Sequence, residues 1–361
     1  MTETLTLPAD APAARGDRIP VAVLGATGSV GQRLVQLLEH HPWFRLHEVV
    51  ASERSAGKSY GDAADWRLDT LLPHAAAALD VKPLGAELES RLLFSGLDSS
   101  VAGDAEEHYA NRGCVVVSNS MNHRMDADVP LLLPEINADH ISAIEHQRKR
   151  RRGYIVTNSN CSTMGLALAI APIERLAGIE QLFVTTMQAI SGAGYNGVAS
   201  YAILDNVIPY ISGEEEKIES EPQKILGRWD GQRFVPAAIR ISAQTNRVPI
   251  IDGHLMTMSF RLRQAASSSQ LIQAIREFRG EPQELGLPSA PQHPIHYIDA
   301  PDRPQPRLDR DRERGMSVSV GRLRPDPILD YRMVALVHNT IRGAAGAALL
   351  NAELLEAKGL L

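Results

Sequence analysis

The sequence predicts an α/β fold in two parts: a doubly wound parallel sheet, then an α+β domain built on a mostly antiparallel sheet. Three observations carry this expectation. Up to residue 157, short β-rich apolar runs alternate with longer segments, the pattern of parallel strands joined by crossovers. Beyond that point, long strand-like runs follow one another with few helices between them. A chain of 361 residues also exceeds what one hydrophobic core usually fills, so two domains are expected.

The first 18 residues, MTETLTLPADAPAARGDR, read as a Pro- and Ala-rich tail without the basic start and apolar stretch of a signal peptide. PVAVLG (20–25) reads as a strand ending in glycine, and VGQRLVQLLEHHP as a helix closed by Pro42. LHEVVAS (46–52), LLFSGL (92–97), GCVVVSNS (113–120) and YIVT continue the parallel set, giving a Rossmann-type domain over 19–157. QLFVTTMQAISGAGYNG, AIRISAQTNRVPIIDGHLMTMSFRLR, MSVSVGRL and YRMVALVHNT supply the strands of a catalytic and dimerisation domain over 158–339. GAAGAALLNAELLEAKG predicts a helix, within 340–361, whose Gly343 and Gly346 suit close packing and which returns to complete the first domain. PDRPQPRLDRDRERG (301–315), rich in proline and mixed charge, reads as a solvated loop.

Composition narrows the function. Hydrophobic residues at 44% and charged residues at 22% exclude a disordered or fibrous chain. A net charge of −6 offers no global attraction for nucleic acid or an anionic membrane, and no run approaches the ~18 apolar residues of a membrane span. The one basic block, HQRKRRRG (146–153), ends a predicted helix, where cations complement the dipole. The two cysteines, Cys114 and Cys161, form no CxxC pair, so neither a disulfide framework nor a metal site is expected, and a cytoplasmic location fits. Small molecules are the expected partners.

GATGSVG (25–31) places Gly25, Gly28 and Gly31, with Thr27, Ser29 and Val30 among them, between a strand and a helix. Backbone N–H groups freed there can meet a pyrophosphate at the helix N-terminus. After the second strand comes ASERSAGK, where a dinucleotide's adenosine ribose is met. Glu53 would favour NAD; Arg54, flanked by the hydroxyls of Ser52 and Ser55, favours the 2′-phosphate of NADP, and NADP is the expected cofactor.

In NSNCSTMG, Cys161 stands where a strand hands over to a helix, among polar neighbours. A helix N-terminus lowers a thiol's pKa, which suits a nucleophile, whereas Cys114 at the start of an apolar strand fits simple burial. A nucleophilic thiol beside a nicotinamide suggests aldehyde chemistry through a hemithioacetal and a thioester. Such a site needs a base, an anion clamp and oxyanion donors; Gln188, Arg247 and His254 are candidates.

Taken together, GATGSVG, ASERSAGK, SNSMNHRMDADVPLLLPEIN, NSNCST, QAISGAGYNG, ISGEEEKIESEPQKILG, NRVPIIDGH and HNTIRGAAGAALLNAE resemble the aspartate-semialdehyde dehydrogenase family, in its archaeal and fungal-type branch, from about residue 20 to 358. The resemblance implies that Cys161 is the nucleophile, Gln188 orients the acyl intermediate, His254 is the acid/base and Asn160 flanks the oxyanion. It implies further that Arg247 clamps the substrate carboxylate, that Glu221 and Lys224 serve the substrate ammonium and phosphate, and that Arg124 serves the phosphate side. Ser52, Arg54 and Ser55 would hold the 2′-phosphate, and Asn339 would lie beside the nicotinamide. The set is chemically coherent, because a small zwitterion with a separate phosphate asks for one bidentate cation, one carboxylate and an anion site. The implied reaction interconverts L-aspartate semialdehyde, phosphate and NADP⁺ with β-aspartyl phosphate and NADPH, in the aspartate route to lysine, threonine and methionine, by a homodimer or homotetramer. Leu255 and Met256 stand where relatives often carry a Thr-Glu-type pair, and Thr245 where many carry cysteine. The alternatives are an acyl-CoA reductase of the malonyl-CoA reductase kind and an NADP-binding regulator without turnover.

Overall fold

The computed structural model describes residues 17–361, so most of the tail expected over 1–18 lies outside the described residues. Strands β1 (Ile19–Leu24), β2 (Phe44–Ala51), β3 (Val81–Pro83), β4 (Leu92–Ser95), β5 (Val115–Ser118) and β6 (Tyr154–Thr157) form one sheet in the order β3-β2-β1-β4-β5-β6. Every pairing in it is parallel. β4, β5 and β6 are buried throughout, which is why they read as unbroken apolar runs rather than alternating ones. The strand order reverses between β1 and β4, the place where doubly wound sheets bind ligands beyond their strand ends.

The helix Cys161–Ala177 leads directly out of β6 and is buried along nearly its whole length. It packs on the second sheet, where its Leu166, Leu168 and Ile170 share a core with Leu182, Met258 and Phe260. That sheet comprises β7 (Ile179–Gln188), β10 (Arg240–Arg247), β11 (His254–Leu262), β12 (Ile295–Ile298), β13 (Val318–Pro325) and β14 (Tyr331–Val337), in the order β10-β7-β11-β14-β13-β12. A small hairpin, β8 (Arg228–Trp229) with β9 (Phe234–Val235), stands apart from it. The sheet is mixed: its three inner pairings are antiparallel, as expected, and its two outermost are parallel. Phe183 points to the side opposite Leu182 and Val184 and is 53% exposed, so the sheet's other face is bare around it.

After β14 the chain makes a π-helical turn, Ile341–Ala345, and then the helix Gly346–Ala357. Leu349, Leu350, Leu354 and Leu355 of that helix join Val21, Val23, Leu34 and Val117 in the core of the first sheet. The turn is pinned by a buried two-pronged ion pair, Arg342 Nη1 and Nη2 donating to Glu135 Oε1 and Oε2 at 2.9 and 2.6 Å. Gly343 permits a close approach that no other residue could: a Cβ there would lie 2.7 Å from Cys161 Cβ.

The segment 301–315 corrects its sequence reading as a solvated loop. Asp309 is only 1% exposed, and its carboxylate accepts hydrogen bonds from Arg303, Arg312 and the Gln305 N–H. The alternating charges neutralise one another locally and so fold inward. In the basic block, Arg150 pairs with Asp128 and Arg151 with Glu107, so these cations are spent within the fold. Among the described residues, no helix is long and apolar enough to cross a membrane.

Candidate active site

Cys161 is the first residue of its helix, and Asn160 is the cap: its Oδ1 accepts from the N–H groups of Ser162 and Thr163. The Cys161 Sγ lies 3.2 Å from His254 Nε2. His254 opens β11, and its Nδ1 accepts the Ala189 N–H at 3.0 Å. With Nδ1 an acceptor, a neutral ring carries its proton on Nε2, facing the sulfur. Burial pushes the Cys161 thiol up to about 12, with the Glu214 carboxylate adding to the effect. Burial, aided by the Arg247 cation, pulls His254 down to about 3. The resting pair is therefore a thiol and a neutral imidazole; the thiolate expected from the helix N-terminus alone is outweighed by desolvation.

Ala189 also accepts from Arg247 Nη1, at 2.7 Å, so one peptide unit at the end of β7 orients both the histidine and the arginine. Arg247 is 6% exposed, and no carboxylate lies within ion-pair distance of it among the described residues. A buried guanidinium without an anion is an open site for one. Gly192 makes room for it, since a Cβ there would fall 2.9 Å from Arg247 Nη1 and 3.2 Å from His254 Nε2.

Around the thiol, two carboxylates organise the remaining groups. Glu221 Oε1 accepts from Arg124 Nη1 at 2.9 Å, and its Oε2 from the Asn160 N–H at 2.7 Å. Glu214, which sequence reasoning missed, accepts from Asn160 Nδ2, Gln188 Nε2 and Lys217 Nζ. Burial alone would raise its pKa, but these partners, Lys217 foremost, hold it below the usual carboxylate range. Arg124 also donates to the Asn119 carbonyl, and its buried Nε has no partner among the described residues.

Two expected contact residues are otherwise engaged. Lys224 Nζ donates to the carbonyls of Arg124, Asp126 and Val129 at 2.7, 2.8 and 2.8 Å and lies over the Phe234 ring. All three of its protons are used, so in this arrangement it fixes the loop carrying Arg124 and has none left for a phosphate. Asn339 accepts the Gly253 N–H and donates to Ser191 Oγ, both at 2.8 Å, tying the segment before His254 to the loop after Gln188. Met256 and Thr245 are both buried; Met256 lies in the second core, and the Thr245 N–H is taken by Glu215.

The glycine turn forms a cradle at the start of helix Ser29–Leu38, with Gly28 as its cap and Thr27 and Val30 on either side. Gly25 has φ +73°, and a Cβ on it would sit 2.8 Å from the Gly96 carbonyl oxygen; one on Gly31 would sit 2.2 Å from the Gly25 carbonyl oxygen. Only glycine fits either place, and the N–H groups at the helix start remain open to an anion. Ser52 and Arg54, beyond the end of β2, are exposed and Ser55 is half-buried, and no carboxylate pairs with Arg54 among the described residues. These features fit a phosphorylated dinucleotide. The loop after β7 leans over the cradle, with Tyr195 Oη donating to Gln32 Oε1 at 2.7 Å, a contact no local sequence signal announces.

Comparison with known proteins accords with this geometry. Residues 20–144 match the family model of the semialdehyde dehydrogenase NAD binding domain, and 170–342 that of the semialdehyde dehydrogenase dimerisation domain. The chain is 49% identical to the aspartate-semialdehyde dehydrogenase of Candida albicans, over 94% of this chain and 98% of that one. To the enzyme of Methanothermobacter thermautotrophicus it is 47% identical, over 93% and 99%. A crystal structure of the Candida albicans enzyme with NADP superposes with a TM-score of 0.89 at 47% identity, covering 96% of this chain and 100% of that one. Aspartate semialdehyde dehydrogenase II of Vibrio cholerae superposes at 0.76 with 25% identity, covering 94% and 99%. By sequence and fold, the chain belongs to the aspartate-semialdehyde dehydrogenase family.

Proposed function

We propose that the protein is an NADP-dependent aspartate-semialdehyde dehydrogenase that reduces β-aspartyl phosphate to L-aspartate semialdehyde and phosphate. The observation that carries this reading is Cys161 Sγ at 3.2 Å from His254 Nε2, beside a buried Arg247 with no carboxylate of its own. An acyl-CoA reductase of the malonyl-CoA kind would release a thiol instead of phosphate and would need no contact for a substrate ammonium.

Arg247 takes the substrate carboxylate, and Glu221, whose two oxygens retain unused lone pairs, accepts from the ammonium. Arg124 offers its unpaired Nε to the phosphate, and Lys224 serves by holding the Arg124 loop. The Cys161 sulfur attacks the acyl carbon, the C–O bond to phosphate breaks, the thiol proton leaves on the departing phosphate oxygen, and a thioester remains. Gln188 and Asn160, oriented by Glu214, stand beside that thioester. Gly25 to Gly31, Ser52, Arg54, Ser55 and the Asn339 segment would hold NADPH, which would supply the hydride that reduces the thioester. The resulting hemithioacetal anion expels Cys161 as a thiolate, which the Nε2–H of His254 stabilises as a hydrogen-bond donor until a proton from solvent restores the thiol. Because Nδ1 holds the Ala189 N–H, this donor role is the one the ring is set for; using it as a base on the thiol requires breaking that contact.

The decisive assay runs in the oxidative direction, following NADPH formation with aspartate semialdehyde, phosphate and NADP⁺, each omitted in turn. Turnover that does not need phosphate, or that needs coenzyme A, defeats the proposal.

We infer, too, that the chain divides near residue 157 into a cofactor domain completed by 340–361 and a catalytic domain, and that it works in the cytoplasm. The bare face of the second sheet around Phe183 supports a homodimer built face to face.

A further inference from the structure

We propose that His293, His296 and Glu313 form a zinc site on the outer edge of the second sheet. The cysteine pattern speaks only against thiolate sites, and this one uses none. His296 lies on edge strand β12 and His293 three residues before its side chain, while Glu313 comes from the turn that precedes β13. His296 Nε2 is 2.8 Å and His293 Nδ1 3.3 Å from the same oxygen, Glu313 Oε1. One ligand atom from each residue falls within 4.8 Å of the other two. Two imidazoles and a carboxylate are a borderline donor set that suits zinc, and three protein ligands with a solvent-facing side leave a fourth position for water. The side chains are 38, 29 and 23% exposed, so an ion can enter without unfolding anything.

Two further features hold the three ligands in place. Glu313 and the following Arg314 both have left-handed backbones, at φ 46° and 61°, a conformation unfavourable for residues with a Cβ. That strained turn aims the carboxylate at the two rings. The groups behind the ligands are also fixed: Glu313 Oε2 accepts the Gln292 N–H, Oε1 accepts the His293 backbone N–H while facing both rings, and Ser317 Oγ donates to the His293 carbonyl. On binding, the nitrogen of each neutral ring that faces Glu313 takes the ion, and the ring's one proton sits on its other nitrogen. The bound ion clamps β12 to the 309–315 turn, which packs on Gly253, the residue before His254, through Arg310.

The test titrates metal-free full-length protein carrying Cys161→Ala, so that the active-site thiol and its histidine offer no competing thiolate site, with Zn²⁺ by calorimetry. Co²⁺ is titrated in parallel to read the ligand set from its visible spectrum. One equivalent should bind, with a tetrahedral nitrogen- and oxygen-ligand cobalt spectrum and no thiolate charge-transfer band. Glu313→Gln and His296→Asn, which keep shape and hydrogen bonding, should each weaken zinc by roughly 100-fold or more while far-UV circular dichroism stays unchanged. Binding that vanishes in the Cys161→Ala protein, or that survives both ligand substitutions at full strength, overturns the site.

Discussion

At the scale of single residues, the two neutral partners at the site set a pH dependence. The Cys161 thiol is pushed up to about 12 and His254 down to about 3, so between pH 6 and 9 the ligand-free protein holds neither thiolate nor imidazolium in quantity. Iodoacetamide should therefore alkylate Cys161 slowly at pH 7, about tenfold faster for each unit of pH gained, with no plateau up to pH 9. A plateau beginning near pH 6 or 7, read by mass spectrometry of the Cys161 peptide, would instead reveal a preformed ion pair. Arg54 is expected at the cofactor because it follows the second strand after the glycine turn, and its exposure without a carboxylate partner among the described residues suits a 2′-phosphate. A charge-assisted contact of about 1.5 to 3 kcal/mol predicts that Arg54→Ala raises KM for NADP roughly 10- to 100-fold and leaves that for NAD nearly unchanged. Equal losses with both cofactors would remove Arg54 from that role.

At the scale of elements, the π-helical turn over Ile341–Ala345 presses on the start of the catalytic helix. A methyl group at residue 343 would meet Cys161 Cβ at 2.7 Å and Cα at 3.1 Å, backbone-anchored atoms that cannot swing aside. Gly343→Ala should therefore displace the sulfur and lower kcat about 10- to 100-fold with little change in NADP affinity; unaltered kcat would show that the contact relaxes freely. The sequence revealed what depends on neighbours along the chain: the glycine turn, the cysteine at a helix start, the strands on either side. It could not reveal Glu214, Ala189 or Gly192, because their roles arise where the end of β7 meets His254, 65 positions beyond Ala189 along the chain. Segment 301–315 was misread for the same reason: whether a mixed-charge run is solvated depends on where Asp309 finds Arg303 and Arg312. Lys224, expected to serve the substrate ammonium and phosphate, spends its protons on carbonyls that only the folded loop brings together.

At the scale of the whole molecule, the doubly wound sheet was readable because five of its six strands carry a short apolar block, whereas β3, the three residues Val81–Pro83, and the parallel outer pairings of the second sheet leave no comparable imprint. That sheet's bare face carries a prediction of its own. Phe183 and Ser259 are cross-strand partners there, and Phe183→Glu should turn a dimer into monomers at micromolar concentration, as sedimentation equilibrium would register; an unchanged dimer mass would move the interface elsewhere. The helix Gly346–Ala357 has a further consequence, one of timing. Its leucines fill the core of a sheet whose last strand ends at Thr157, so at ~5 to 20 residues per second the ribosome needs roughly 10 to 40 s between making that sheet and making the helix that seals it. Throughout that interval the sheet waits with an open apolar face beside a growing polypeptide. Nascent chains stalled before residue 346 should be cut readily within the first sheet by protease and should engage holding chaperones, whereas chains stalled with residues 346–361 clear of the exit tunnel should resist; equal resistance at both stalls would mean that the sheet closes without its last helix.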